Sequence, residues 1–75
     1  MNAATLTSVL LNKLSLLESR GAAAEMTISE ARSQAEWANL PVPVSTDGFI
    51  DHLRFNGFSV EQRRAGSQVR HIASI

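Results

Sequence analysis

Apolar side chains recur at helical spacing over the first 20 residues. Six of them share one broad face of a helical wheel: Leu6, Val9, Leu10, Leu14, Leu16 and Leu17. Intervals of three and four residues between apolar positions are typical of an amphipathic helix. Thr5 or Thr7 can cap its start, and Gly21 suits a left-handed residue after its end. The pattern predicts a first helix over about residues 6–20, with Leu11 beside the apolar face.

A second helix is predicted by its start signal. Thr27-Ile28-Ser29-Glu30 has the form of a capping box, after a short connection over residues 22–26. The helix is expected to cover about residues 28–39. Its apolar face carries small residues that allow a close approach of another helix: Ile28, Ala31, Ala35 and Ala38. Trp37, near the edge of this face, is expected to be a packing anchor in the core.

Two prolines separate the second helix from a third. Leu40-Pro41-Val42-Pro43-Val44 cannot continue a helix, and its valines are expected to pack onto the core. Ser45 or Thr46 can cap a third helix over about residues 46–56. Gly57 suits the left-handed position after that helix, and Phe58 is expected to pack back against it.

The C-terminal part has the pattern of a β-hairpin. Residues 59–63 and 68–74 alternate apolar and polar side chains, and Ala65-Gly66-Ser67 can form the turn. Alternation leaves two registers open. They pair either Glu61 with Arg70 or Val60 with Ile72. The sequence thus predicts an α+β fold for a single domain over residues 1–75: three helices followed by a C-terminal hairpin.

The end of the third helix resembles a known family. The segment Ile50-Asp51-His52-Leu53-Arg54-Phe55-Asn56-Gly57-Phe58-Ser59-Val60-Glu61 is similar to the point in winged helix-turn-helix regulators where the recognition helix passes into the first wing strand. Arg63-Arg64-Ala65-Gly66-Ser67 resembles the basic wing tip that follows it. The resemblance covers about residues 27–75. It implies a small DNA-binding transcriptional regulator of the phage or plasmid type, with the third helix in the major groove and the hairpin as the wing on the backbone.

Composition and motifs argue against several other classes of protein. The chain has 75 residues, 44% of them hydrophobic, and no cysteine. It has no apolar run long enough for a membrane span and no signal peptide pattern, so we expect a cytoplasmic protein without a membrane partner. His52 and His71 lie in different elements, with no nucleophile at a known motif spacing. We therefore expect no enzyme activity, metal site or cofactor.

The distribution of charge supports DNA as the partner. Seven basic residues balance seven acidic ones overall, but residues 48–75 carry four arginines against two acids, a net charge of +2. Arginines there would meet phosphates if the family resemblance holds. The candidate DNA-binding residues lie in the third helix and the hairpin: Ser45, Thr46, Asp51, His52, Arg54, Arg63, Arg64, Ser67 and Gln68.

So small a domain is expected to bind paired half-sites as a homodimer, with Leu11 and Leu16 of the first helix as the contact.

Two features of the sequence keep a second function open. Against DNA, the third helix begins with acidic residues, Asp47 and Asp51, and the proline-containing link is longer than the usual turn before a recognition helix. The alternative is a winged-helix interaction module that binds and inhibits a host protein.

Overall fold

The computed structural model describes residues 4–75, which form three helices and three strands. In chain order these are α1 (Leu6–Ser19), β1 (Glu25–Thr27), α2 (Ile28–Trp37), α3 (Thr46–Phe55), β2 (Ser59–Ala65) and β3 (Gln68–Ser74). The strands form one antiparallel sheet in the order β1-β3-β2. The protein is therefore a small α+β domain, as predicted. No helix within residues 4–75 is long and apolar enough to cross a membrane.

All three predicted helices are present, and local signals explain their limits. Each starts at a hydroxyl side chain that accepts a hydrogen bond from a backbone amide three residues later: Thr5, Thr27 and Ser45. Each ends before a residue with positive φ: Gly21, Asn39 and Gly57. After α3, for example, the Phe58 amide donates to the Leu53 carbonyl oxygen and the Gly57 amide donates to Arg54. This pair of bonds is a Schellman motif, which closes the helix.

Strand β1 was not predicted. Residues 22–26 were expected to form a plain connection, yet Glu25–Thr27 pairs with β3 through Met26 opposite Ala73 and Thr27 opposite Ile72. The predicted hairpin is thus part of a three-stranded sheet with β3 at its centre. Met26 is buried in the core cluster, which anchors the strand. Three residues are too few to show an alternating pattern, so the sequence carried no signal for this strand.

Both predicted hairpin registers are wrong. Arg63 lies opposite Arg70, Glu61 opposite Ile72 and Val60 opposite Ala73. The turn has two residues, Gly66 and Ser67, rather than the three predicted, since Ala65 is still paired with Gln68. Gly66 has a φ of +66° at the first turn position, the conformation that a type II′ turn requires there. The length of this turn sets the register of the whole hairpin.

The core joins the inner faces of the helices to one face of the sheet. Its fully buried large side chains are Leu10, Leu14, Phe49 and Leu53. The Arg32 guanidinium lies over the Phe49 ring, 4.5 Å from its centroid, and its Nη1 donates to the Pro43 carbonyl oxygen at 2.8 Å. Arg32 therefore attaches the proline-containing link to α2 and holds the start of α3 in place.

Two packing predictions need correction. Trp37 is 88% exposed and does not anchor the core, because α2 buries only small alanines on its inner face. Of the two valines in the link, Val42 packs against the core, whereas Val44 is exposed. Both errors concern apolar residues next to a helix end, where helical periodicity gives little information on whether a side chain points to the core or to solvent.

Candidate nucleic-acid interface

The outward side of α3 carries acidic and aromatic groups. Phe49, Ile50 and Leu53 face the core, which leaves Asp51 and Phe55 on the opposite side of the helix. Phe55 is 90% exposed. A large aromatic ring beside carboxylates offers apolar contact area but no positive charge. Any positive charge at this surface must come from the end of α3 or from the hairpin.

The start of α3 is capped as predicted. The Gly48 amide donates to Ser45 Oγ at 3.1 Å, and Thr46 is the exposed first residue of the helix. Ser45, a candidate phosphate donor, thus already acts as the N-cap. Its hydroxyl hydrogen and the unpaired amides of the first turn remain available to an anion, and Asp47 is the acidic residue in that turn.

The end of α3 is joined to β2. Arg54 Nη2 donates to the Val60 carbonyl oxygen at 2.9 Å. This bond leaves the charge of Arg54 uncompensated, and the side chain is exposed. His52 is half-buried, and its carbonyl oxygen accepts a hydrogen bond from Asn56 Nδ2 at 2.7 Å. Asn56 is therefore part of the helix stop.

The hairpin projects from the domain. Every residue from Glu61 to Arg70 is exposed, and we refer to residues 61–70 as the hairpin arm. The arm carries Arg63, Arg64 and Arg70 within ten residues, with Ser67 in the turn and Gln68 directly after it. Among residues 4–75, no salt bridge involves Arg64 or Arg70.

The two faces of the arm differ. Side chains alternate along each strand and directly paired residues share a face. Val60, a core residue, defines the inner face, on which Arg64 follows four residues later, opposite Val69. Glu61 and Arg63 lie on the outer face, away from the helices. A groove of about 410 Å³ separates the inner face from α3, with Asp51 and Arg54 on its α3 side.

Arg63 is paired with two carboxylates on the outer face. Its Nη1 and Nη2 donate to Glu25 Oε1 and Oε2 at 2.6 and 2.7 Å, and Nη2 and Nε donate to Glu61 Oε1 at 2.6 and 3.0 Å. The hydrogen bonds from Arg63 hold the pKa of Glu25 below its ordinary value, and the same contacts raise the pKa of Arg63. Glu61 was expected opposite Arg70, but its ion-pair partner is Arg63.

The two predicted dimer residues lie on different sides of α1. Leu11 is 38% exposed and Leu16 46% exposed. Five residues apart, they differ by about 140° around a helix. Leu16 lines a groove between α1 and α2 together with Val9 and Trp37. A single dimer contact can therefore include Leu16 of α1 together with Trp37 of α2, but not both Leu16 and Leu11.

The structure brings the other candidates together in two groups. One group lies along α3: Ser45, Thr46, Asp51, His52 and Arg54. The other lies on the hairpin arm: Arg63, Arg64, Ser67 and Gln68. The residue that sequence reasoning missed is Glu25, which compensates Arg63. Nothing in the local sequence indicates this role, because it depends on the pairing of β1 with β3.

Neither metal chemistry nor a known relative adds to these observations. Within residues 4–75, no group of three or more histidines and carboxylates could hold a metal ion. The chain matches no protein family, no curated protein and no solved structure. What the protein does must be inferred from the geometry of α3 and the hairpin arm.

Proposed function

We propose that the protein is a winged helix-turn-helix DNA-binding protein that acts as a transcriptional regulator in the cytoplasm. The observation that carries the proposal is the hairpin arm, ten consecutive exposed residues with three arginines, whose base faces α3 across a groove. Helices α2 and α3 would form the helix-turn-helix, with α3 in the major groove. Strand β1 pairs with β3, so the hairpin belongs to a three-stranded sheet in the same domain as these helices.

Charge and exposure support a role for the arm on the DNA backbone. Arg64 and Arg70 have no carboxylate partner among the described residues, so their charges are available to phosphates. Arg54 at the end of α3 adds a third available charge. On α3, Thr46 and His52 are the candidates for polar contacts in the groove. The acidic residue Asp51 can accept a hydrogen bond from a cytosine amino group.

Dimerisation would strengthen binding. A domain of this size makes few contacts with DNA alone, and two copies on paired half-sites supply both affinity and spacing. We propose a homodimer through the α1–α2 groove, where Leu16 and Trp37 are exposed side by side.

One observation favours a second candidate function. Phe55 is exposed one turn after Asp51 on the outward side of α3, a combination that suits an apolar and basic protein surface better than a phosphate backbone. The second candidate is therefore a protein-interaction module that uses the same face of α3 to bind and inhibit a host protein.

Fluorescence anisotropy with labelled random-sequence duplex DNA tests the first proposal. We expect non-specific binding with a Kd of about 1–100 μM that weakens steeply with added salt. Replacing both free arginines (Arg64→Ala with Arg70→Ala) should lower the slope of log K against log salt by about 2. The matched control removes two basic residues from α1 and its C-cap, Lys13→Ala with Arg20→Ala, and should lower the slope much less.

Two outcomes would contradict DNA binding through the hairpin arm. One is the absence of binding by the wild-type protein at low salt, and the other is an equal loss of slope in the arm and control variants. In the first case, binding to a protein partner that persists at high salt and is lost in Phe55→Ala would support the interaction module instead.

A further inference from the structure

Arg63 connects two strands that are not neighbours in the sheet. Because the strand order is β1-β3-β2, its side chain must cross β3 to reach Glu25. Ile72 lies on β3 between Thr27 and Glu61, on the same face as this ion pair. Ile72 is buried although it does not belong to the core cluster. The Arg63 side chain thus passes over an apolar residue on the outer face. We refer to Glu25, Arg63 and Glu61 as the clip.

The clip engages all three nitrogens of the guanidinium group, through four of its five N–H donors. Nε, Nη1 and Nη2 each donate to a carboxylate oxygen, and the contact with Glu25 is bidentate. A planar guanidinium matches a carboxylate in this way, whereas a lysine ammonium cannot. Two carboxylates more than compensate one positive charge. Arg63 therefore offers neither free charge nor a free nitrogen to a phosphate, in contrast to Arg64 one residue later.

The clip is also the arm's side-chain attachment to the rest of the domain. Within residues 4–75, every side-chain hydrogen bond made by the hairpin arm belongs to Arg63 or its partner Glu61. All arm residues are exposed, so no buried contact fixes the direction of the arm. An exposed two-stranded hairpin without such contacts bends and frays easily.

We infer that Arg63 is a positioning residue: the clip fixes the direction of the hairpin arm relative to α3, so that Arg64, and not Arg63, contacts DNA. The inference rests on the proposed DNA-binding function. It separates two adjacent arginines that look equivalent in the sequence. It also assigns a role to Glu25, which lies outside the arm and is acidic.

Removing the two partners of the clip separately distinguishes positioning from direct contact. If the clip positions the arm, Glu25→Gln and Arg63→Gln should both weaken DNA binding by about two- to fivefold, and the double variant should be no weaker than either. If Arg63 contacted phosphate, Glu25→Gln would remove one of the two carboxylates that compete for its guanidinium, and would strengthen binding. Arg63→Lys should weaken binding as Arg63→Gln does, whereas a phosphate contact would tolerate lysine. Stronger binding by Glu25→Gln, or full rescue by Arg63→Lys, would overturn the inference.

Amide hydrogen exchange tests the clip without DNA. We expect the arm amides to exchange about two- to fivefold faster in Glu25→Gln and Arg63→Gln than in the wild-type protein, with α1 unchanged. The control Arg64→Gln should leave exchange unchanged while lowering the salt slope by about 1. Unchanged arm exchange in the clip variants would overturn the inference even if DNA binds. Faster exchange without DNA binding by the wild-type protein would keep the clip as an attachment and reject its role in DNA recognition, together with the proposed function.

Discussion

Gly48 occupies a position where alanine should destabilise the protein, although alanine normally favours helices. Gly48 is the third residue of α3, and a Cβ atom there would lie 2.7 Å from Ser45 Oγ and 3.1 Å from Pro43 Cβ. In an open helix, Gly→Ala gains about 1 kcal/mol. Here the Ser45 hydroxyl would have to move away and give up its hydrogen bond with the Gly48 amide, which costs about 1 kcal/mol. Displacing Pro43 adds to that cost. We expect Gly48→Ala to lose about 0.5–1 kcal/mol of unfolding free energy overall.

A double-mutant cycle isolates the contact with the cap. Urea denaturation followed by circular dichroism gives the unfolding free energies of Gly48→Ala, Ser45→Ala and the double variant. Ser45→Ala alone should cost about 1 kcal/mol. In that background Gly48→Ala should be neutral or stabilising by up to about 1 kcal/mol, because no hydroxyl remains to be displaced. A gain of about 1 kcal/mol from Gly48→Ala in the wild-type background would refute the close approach of the link to α3.

Three further predictions concern the clip, the core and the exposed aromatic residues. Because the pKa of Glu25 is lowered by Arg63, its stabilising contribution is complete above its ordinary value of 4.5 and is lost as the pH falls through the lowered pKa. The stability difference between wild type and Glu25→Gln in urea should therefore close in acid; a difference independent of pH would contradict the ion pair. Phe49→Ala should cost about 3–5 kcal/mol, a large part of the roughly 4–11 kcal/mol expected for a domain of this size, and a melting temperature close to wild type would contradict its burial. Phe55→Ala and Trp37→Ala should each change stability by less than about 0.5 kcal/mol, but only Trp37→Ala, which trims the proposed dimer contact, should weaken DNA binding in the anisotropy assay; unchanged binding by Trp37→Ala would contradict a homodimer through the α1–α2 groove.

Helix limits could be predicted from the sequence because their causes are local. A hydroxyl side chain three residues before its amide partner, and a glycine after the last turn, are both visible in a short window. Thr27 and Gly57 marked their helix ends within two residues for this reason. The capping box at Thr27 is only half formed, since its hydroxyl accepts from the Glu30 amide while Thr27 itself pairs with Ile72 in the sheet.

The sheet could not be predicted to the same extent, since its pairing is non-local. Strand β1 has three residues, and its partner lies almost 50 residues later in the chain. Burial at the helix margins was equally hard to foresee. Trp37 follows the apolar periodicity of α2 closely enough to suggest the core, yet its side chain lies exposed at the groove between α1 and α2. An apolar side chain favours burial, but the elements packed around it determine whether it is buried.

The hairpin register determines which arginines of the arm are left without a carboxylate partner among the described residues. The predicted pairing of Glu61 with Arg70 would compensate Arg70 and leave Arg63 free. The observed two-residue turn moves the partner strand by two positions, which keeps each side chain on its face but places Arg63 opposite Arg70. Like charges in direct opposition are unfavourable, and Glu25 from β1 offsets this arrangement by binding Arg63 across the sheet. The short strand that the sequence did not reveal thus leaves Arg64 on the inner face and Arg70 on the outer face as the available charges of the arm.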